Sequence, residues 1–410
     1  LFLMGLTYLY GVALSASLAV LVVMAASVTL LPALLGFARG GVNRLRIGRA
    51  PRTRGDGRPP AAMRWSRLVQ RRPLTAAIAG VAILLVLAAP LTGLRLGFPD
   101  SGNDRAGTTT RAAYDLVADG FGRGASGPLL LVAEGADRGE LRELVADVRR
   151  TDGVRAVAPP VVNGGGDTAV VSVVSDASPQ DAATADLVRR LRAEHDVLVG
   201  GETASLVDQS DVTADRLPLF IGGVLGLSFL LLLFAFRAPL VALKAGVMNL
   251  LSIAAAYGVV AAVADGGTLG QLVGSDTATP VPPFIPVMMF AILFGLSMDY
   301  EVFLLSRIRE EFLARGNTSR AVTEGLASTA RVITAAALIM VAVFGAFVLS
   351  GEVFLKLIGI GLATAVLIDA TVVRMVLVPA VMQILGDRNW WLPRWLDRLI
   401  PHGELEPRPA

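Results

Sequence analysis

The sequence predicts a polytopic α-helical membrane protein with one α+β domain outside the membrane. Hydrophobic residues make up 54% of the 410 residues and charged residues only 17%, against about 25% charged residues in soluble proteins. Seven apolar segments are each long enough for a membrane crossing, which takes about 20 residues. One long polar stretch, 95–216, separates the second of these segments from the third. These observations favour a bundle of membrane helices over a soluble helical protein.

Arginine indicates how the predicted spans are oriented, because cytoplasmic loops carry an excess of Lys and Arg. The linker 37–72 holds 11 Arg and one acidic residue, so we expect it to be cytoplasmic. Alternation then places the amphipathic segment 306–331, which we expect along the inner membrane surface, and the tail 386–410 in the cytoplasm as well. The predicted spans are 10–36, 74–94, 217–236, 239–264, 284–305, 332–350 and 355–385.

The stretch 95–216 is predicted to be a folded extracytoplasmic domain. It holds 20 acidic residues and 13 Arg, so its charge is opposite in sign to that of the inner loops. Its apolar alternation and helical periodicity predict the order β-α-β-β-α-β, which is typical of a ferredoxin-like split β-α-β fold. The predicted strands are 127–135, 154–162, 168–176 and 196–202, and the predicted helices are 137–150 and 179–195.

An internal repeat indicates how the helices are organised. LSASLAVLVVMAASVTLLPALL (14–35) aligns with GLATAVLIDATVVRMVLVPAVM (361–382), so that Pro32 falls on Pro379. Generic membrane-helix composition is the alternative explanation. On the repeat interpretation, residues 1–36 are the last helix region of a first repeat. The span 73–94, the domain 95–216 and a five-helix bundle over 217–385 then form a complete second repeat.

Charged residues inside the predicted spans are the strongest functional signal. Asp299 and Tyr300 follow 22 uncharged residues, and Asp369 lies near the middle of the last span, with Arg374 five residues later. A charge at the bilayer centre costs about 2.5–3.5 kcal/mol on insertion scales, so such residues persist mainly where they face a bundle interior or an ion pathway. The residues alone leave two interpretations of Asp299 open, a proton-carrying group or a residue at headgroup level.

Helical geometry limits which of these side chains can pair. On a regular α-helix Asp299 and Tyr300 point about 100° apart, and Asp369 and Arg374 about 140° apart. We therefore expect each side chain to find its partner on another helix or in water. Glu301 is expected at the membrane interface.

Several classes of function are excluded or disfavoured by composition. The chain has no cysteine, only two widely separated histidines and a net charge of +3, which indicates no metal site and no nucleic-acid partner. No P-loop is present, and the G-x-G-x-x-G pattern at 122–127 precedes a predicted strand instead of following one, so we interpret it as a loop. No set of catalytic residues is evident, so an enzyme is not expected.

Four stretches resemble the second half of MMPL-type transporters of the resistance-nodulation-division (RND) superfamily, and are most similar to actinobacterial members. They are FGLSMDYEVFLLSRIREEF, RVITAAALIMVAVFGAFVLS, IGLATAVLIDATVVRMVLVPAVM and LGDRNWWLPRWLDRL. The resemblance covers essentially the whole chain and is most specific over the last four helices. It implies two repeats of six helices in the complete protein, each with an extracytoplasmic porter domain.

The resemblance also implies a function, namely proton-driven export of lipids and other hydrophobic molecules across the inner membrane. In this family an Asp-Tyr pair in the fourth helix of each repeat forms the proton relay, and the matching residues here are Asp299 and Tyr300. Asp369 matches an acidic position common in the last helix, and with Arg374 it is a candidate accessory intramembrane charge. The proton motive force takes the place of a cofactor.

The expected partners follow from the same resemblance. They are membrane lipids, a hydrophobic cargo and the missing first repeat, whose relay helix the chain does not contain; a homo-oligomer is left open. Two alternatives to transport are a lipid-binding, sterol-sensing-like scaffold and a non-functional truncated product.

Overall fold

Seven helices of the described residues are long and apolar enough to cross a membrane, and each overlaps one predicted span. The computed structural model describes residues 1–38, 61–135, 137–272 and 277–399. Most of the predicted arginine-rich linker and the end of the predicted tail, residues 400–410, lie outside the described residues. The protein is therefore a multi-pass helical membrane protein, as the hydropathy of its sequence predicts.

The helices differ in length, and several extend well past the predicted spans. They are α1 (Thr7–Ala38), α2 (Ala61–Arg71), α3 (Pro73–Ala88), α4 (Thr109–Phe121), α5 (Arg138–Val148), α6 (Ala182–Glu194), α7 (Glu202–Phe236), α8 (Pro239–Ala264), α9 (Thr268–Leu272), α10 (Phe284–Arg315), α11 (Thr318–Ala346), α12 (Val353–Ile368), α13 (Val378–Leu385) and α14 (Arg394–Leu399). A π-helical segment, Asp369–Leu377, joins α12 to α13.

The α+β domain contains a small antiparallel sheet. Its spatial order is β2-β4-β1-β5, and β3 pairs with β4 beside β2. The single strand predicted over 154–162 is two strands, because Pro159 and Pro160 lie between them and proline cannot donate to a ladder. The strands are β1 (Leu129–Glu134), β2 (Val154–Val157), β3 (Val161–Val162), β4 (Thr168–Ser175) and β5 (Leu198–Gly200).

Helix α7 joins the domain to the membrane bundle without a break. Its 35 residues correspond to about 52 Å at 1.5 Å per residue, well beyond the roughly 30 Å of a hydrocarbon core. The predicted span 217–236 is therefore the second part of a longer helix. A second connection is a parallel bridge between Leu96 and Val281. The domain is consequently held to the bundle at two places.

The structure corrects the prediction of one amphipathic segment over 306–331. Helix α10 continues to Arg315, Gly316 turns the chain with φ of +65°, and α11 begins at Thr318. The side chain of Asn317 accepts a hydrogen bond from the backbone N–H of Arg320 at 3.0 Å and so caps α11. Because glycine ends and asparagine starts helices readily, these two residues divide the segment into the ends of two antiparallel helices.

Helix α8 forms the centre of the bundle. Its apolar window is 67% buried, the largest share among the spans of the described residues, whereas that of α1 is 0% buried. Glycine makes the close packing possible, since a Cβ at Gly258 would collide with the backbone carbonyl of Leu87 on α3. The polar side chains described next lie where α8, α10 and the π-helical segment meet around this centre.

Candidate functional site

An ion pair between Asp369 and Arg374 lies inside the helical bundle. The Nη2 and Nε atoms of Arg374 donate to the Oδ2 atom of Asp369 at 2.6 and 2.9 Å. The exposed fraction is 3% for the arginine side chain and 13% for the aspartate side chain. The carboxylate and the guanidinium therefore compensate each other in surroundings where neither could stay charged alone at low cost.

The π-helical segment makes this pairing possible within one element. In a π-helix the backbone hydrogen bond joins residues five apart, and the N–H of Val378 accordingly donates to the carbonyl of Val373. Residues five apart then lie above one another, as Asp369 and Arg374 do. The expectation that this pair requires another helix or a water is wrong, because it assumed regular α-helical geometry.

Two polar side chains on neighbouring helices extend the ion pair into a network. Ser297 Oγ on α10 lies 2.9 Å from Asp369 Oδ1 and 2.6 Å from Asn249 Oδ1 on α8. A hydroxyl has one proton to donate, and Asn249 Nδ2 has no partner among the described residues. Ser297 therefore cannot donate to both oxygens at once. If the Asn249 amide is turned so that Nδ2 faces Ser297, Nδ2 donates to the serine hydroxyl and the hydroxyl donates to Asp369.

Tyr300 lies against this network, whereas Asp299 does not. The guanidinium carbon of Arg374 is 4.9 Å from the centroid of the Tyr300 ring, a cation–π distance. Arg374 also donates to the carbonyl oxygen of Ser297 at 2.7 Å. Asp299 is exposed on another face of α10, together with Gly295. The structure therefore brings together three of the four predicted site residues and places the fourth on an open helix face.

A second pair of opposite charges was not predicted. Lys244 on α8 is 7% exposed and Glu301 on α10 is 5% exposed, and their charges attract each other. Within the described part of the chain, Lys244 Nζ and Glu301 Oε1 have no hydrogen-bond partner. Glu301, which was expected at the membrane interface, is buried because its face of α10 packs against α8. The sequence signal for this pair is Lys244, because it lies inside an apolar span and the chain has only one other lysine, Lys356.

A small cavity adjoins the network. It leaves about 20 Å³ for the centre of a water-sized molecule, and its polar lining includes Asn249, Ser297, Tyr300, Asp369 and Arg374. That space suffices for about one water. The buried Nη1 of Arg374 has no partner among the described residues and would be satisfied there. The cavity thus brings together a carboxylate, hydroxyl groups and space for one water, and such groups can pass a proton along hydrogen bonds.

The α+β domain contains a larger polar cavity beside the start of α7. Its volume is about 520 Å³ and its walls include Asp100, Tyr114, Gln180 and Arg189. Burial raises the pKa of Asp100 above its ordinary value, although hydrogen bonds from the Gly102 N–H and the Tyr114 hydroxyl oppose the shift. Burial also raises the pKa of Tyr114. No group of three or more residues that could hold a metal ion occurs among the described residues.

Long apolar helices around buried opposite charges define a multi-pass membrane protein with an intramembrane polar site. Comparison with known proteins specifies the family. Residues 132–403 match the MMPL family, and the chain belongs to it.

Curated relatives resemble nearly the whole chain. It is 36% identical to the membrane protein YdfJ of Bacillus subtilis, over 98% of this chain and 56% of that protein. It is 37% identical to the mycolic acid-containing lipids exporter MmpL11 of Mycolicibacterium smegmatis, over 99% of this chain and 44% of that protein. It is 38% identical to the heme uptake protein MmpL11 of Mycobacterium tuberculosis, over 99% of this chain and 44% of that protein. The chain thus spans about half the length of the curated relatives it matches.

Proposed function

We propose that the chain is the second-repeat part of a transporter that uses the proton gradient to export hydrophobic, lipid-like molecules across the inner membrane. The observation that carries this proposal is the buried network of Asp369, Arg374, Ser297 and Asn249, with Tyr300 against it. Buried intramembrane charge is costly and typically marks an ion or proton pathway. A membrane exporter needs such a group to couple proton movement to cargo movement.

Asp299 and Tyr300 have complementary positions in this proposal. Tyr300 contacts the guanidinium of Arg374, and Asp299 lies on the exposed face of the same helix. Asp299 would take up and release the proton, and Tyr300 would reach toward a carboxylate of the partner repeat. The exposed face of α10 is the surface that the first repeat would cover. The chain's coverage of only about half of its relatives supports this arrangement.

The α+β domain is the part we assign to cargo contact. Its strand order and antiparallel pairing support a ferredoxin-like porter domain, since the first and second predicted strands flank the third as in a split β-α-β unit. The cavity of about 520 Å³ falls in the range of small-molecule sites, about 300–1,000 Å³. One relative is named as a lipid exporter, which supports a lipid-like cargo. Another is named as a heme uptake protein, so the direction of transport has to be measured.

The orientation in the membrane follows the arginines. The side that carries α2, the α10–α11 turn and α14 is proposed to be cytoplasmic, which places the α+β domain outside and the C-terminus inside. In α2 the charged residues are Arg64, Arg67 and Arg71, with no acid. That bias agrees with the positive-inside rule.

The proposal is tested by proton flux in proteoliposomes that contain the complete transporter and an internal pH-sensitive dye. A fluorescent phospholipid serves as the transport probe. We expect Asp299→Asn to reduce probe-dependent proton flux to the level of empty liposomes. The matched control is Asp265→Asn, at the exposed end of α8, which should transport like the wild type. Unchanged flux in Asp299→Asn would refute the relay.

A scaffold that binds lipid without transport is the second candidate. The direct pairing of Asp369 with Arg374 favours it, because a buried ion pair can serve packing alone. The same liposomes separate the two functions. Probe binding without any probe-dependent proton flux in the wild type would identify the scaffold.

A further inference from the structure

An open apolar groove lies on the outside of the bundle, away from the polar network. It has a volume of about 990 Å³ and lies between α2, α11 and the π-helical segment. Alanines of α11 and branched side chains of the π-helical segment form half of its lining. Trp65 and Arg331 are among its few polar members.

One edge of the groove is fixed by an unusual hydrogen bond. The indole Nε1 of Trp65 donates to the carbonyl oxygen of Met375 at 2.9 Å. Met375 lies four residues before Pro379, which has no N–H to offer that carbonyl. Trp65 supplies the missing donor, and its ring is held at the groove edge with 43% of its surface exposed. Tryptophan with one wet and one apolar side is typical of the membrane interface.

The groove combines apolar walls with unpaired positive charge. Arg331 is exposed and has no hydrogen bond or ion pair within the part of the chain that the structure describes. Helix α2 borders the groove through Ala62 and Trp65, and it is amphipathic, because Arg64, Arg67 and Arg71 are exposed on the side away from the bundle. A basic amphipathic helix of this kind lies in the headgroup layer. The open mouth of the groove is therefore at headgroup depth.

We propose that this groove is a binding site for one anionic phospholipid of the leaflet on the α2 side. An acyl chain lies along the apolar walls formed by α11 and the π-helical segment. The lipid phosphate lies against Arg331, the basic residue that lines the groove, and the exposed arginines of α2 attract the anionic headgroups of the same leaflet. The small side chains Ala327, Ala330 and Ala335 leave a channel suited to a linear chain. This binding does not depend on the proposed transport function.

The position of the groove connects it to the polar network through one wall. Thr371, Val372 and Met375 line the groove, while Asp369 and Arg374 lie on the inner side of the same nine-residue segment. A lipid in the groove thus packs against the segment whose geometry holds the ion pair together. Lipid composition at this leaflet is expected to affect the stability of that segment.

Quenching of Trp65 fluorescence tests the site in the full 410-residue chain. Trp390, Trp391 and Trp395 are replaced by Phe, and the chain is placed in lipid nanodiscs. Phosphatidylglycerol or phosphatidylcholine, each brominated near the start of its acyl chains, is then titrated at equal mole fraction. Arg331→Gln removes the proposed headgroup contact. Arg320→Gln, at another exposed position of α11, is the matched control.

We expect half-maximal quenching at a mole fraction of phosphatidylglycerol at least about fivefold lower than for phosphatidylcholine, an affinity difference of about 1 kcal/mol. That preference should disappear in Arg331→Gln and persist in Arg320→Gln. Equal quenching by the two lipids overturns the proposal, as does a preference that survives Arg331→Gln. Absence of quenching by either lipid also overturns it, since protein would then cover the groove. None of these outcomes depends on transport.

Discussion

Asp369 and Arg374 form an ion pair across one turn of a single membrane-embedded segment, with 2.6 Å between Oδ2 and Nη2. The π-helical geometry from Asp369 to Leu377 brings the two side chains to the same side. The pair then fixes Ser297, Asn249 and the Tyr300 ring around it. A local departure from α-helical geometry therefore organises polar contacts among three helices.

Removal of one member of this pair should be strongly destabilising. Arg374→Gln leaves Asp369 buried without its counter-charge, and loss of one partner of a buried pair costs about 3–5 kcal/mol. The measurement is unfolding of the purified chain in detergent by denaturant titration. Arg307→Gln is the control, because its ion pair with Glu310 is exposed and exposed pairs contribute about 0–1 kcal/mol. Equal stability of the two variants would contradict a structural role for the pair.

Substitutions of Lys244 and Glu301 should have non-additive effects on the free energy of unfolding. Lys244→Met leaves the buried Glu301 carboxylate without its nearby positive charge, so we expect a loss of about 1–3 kcal/mol, as for a buried polar group that has lost its compensation. The double variant Lys244→Met, Glu301→Met removes both charges and should be closer to the wild type than Lys244→Met alone. The same unfolding titration measures the double variant and the two single variants, Lys244→Met and Glu301→Met. Simple additivity of the two single substitutions would show that the charges do not interact.

The contribution of Asp100 to the stability of the α+β domain should decrease as pH rises. Burial raises the pKa of the Asp100 carboxyl in the folded state, so the folded form binds a proton more tightly than the unfolded form. The resulting contribution is fully present below the ordinary pKa of about 3.9 and is lost as pH rises through the raised folded pKa. Asp137 and Asp167, whose pKa values are lowered mainly by hydrogen bonds, act in the opposite direction.

The Asp100 contribution is isolated by comparison of variants. Thermal unfolding of the wild type and of Asp100→Asn is followed upward from about pH 4, which is close to the ordinary pKa of an aspartate carboxyl. We expect the wild type to lose stability relative to Asp100→Asn as pH rises. Asp119→Asn, at an exposed position of α4, should run parallel to the wild type. A constant difference between wild type and Asp100→Asn would rule out the predicted linkage.

Close packing of α8 against α3 should tolerate no side chain at Gly258. A Cβ there would overlap the Leu87 carbonyl, and overpacking typically costs about 1–3 kcal/mol. Gly258→Val should therefore lower the unfolding midpoint in detergent. Gly246→Val on the same helix is the control, because a Cβ there would lie at an ordinary 3.8 Å from Leu225 Cδ2. Equal midpoints for the two variants would contradict the packing.

Part of the site was predictable from the residues alone. Intramembrane Asp369 and Arg374 stand out because charge is rare in apolar spans, and Tyr300 followed from the family resemblance. Lys244 carries the same signal as Asp369, a charge inside an apolar span. Ser297 and Asn249 carried none, since uncharged polar residues are common in membrane helices and only their neighbours give them a role.

The sequence by itself determined where the seven apolar helices lie and, apart from the strand that Pro159 and Pro160 divide, the succession of helices and strands along the α+β domain. It did so because hydrophobic periodicity and length are local properties that a single chain segment reveals. Only the tertiary structure decided that Asp369 pairs with Arg374, that Glu301 is buried and that Asp299 lies on an open face. Those outcomes depend on helix geometry and on which faces pack together, and a π-helical turn changes the relation between residues without changing their hydropathy.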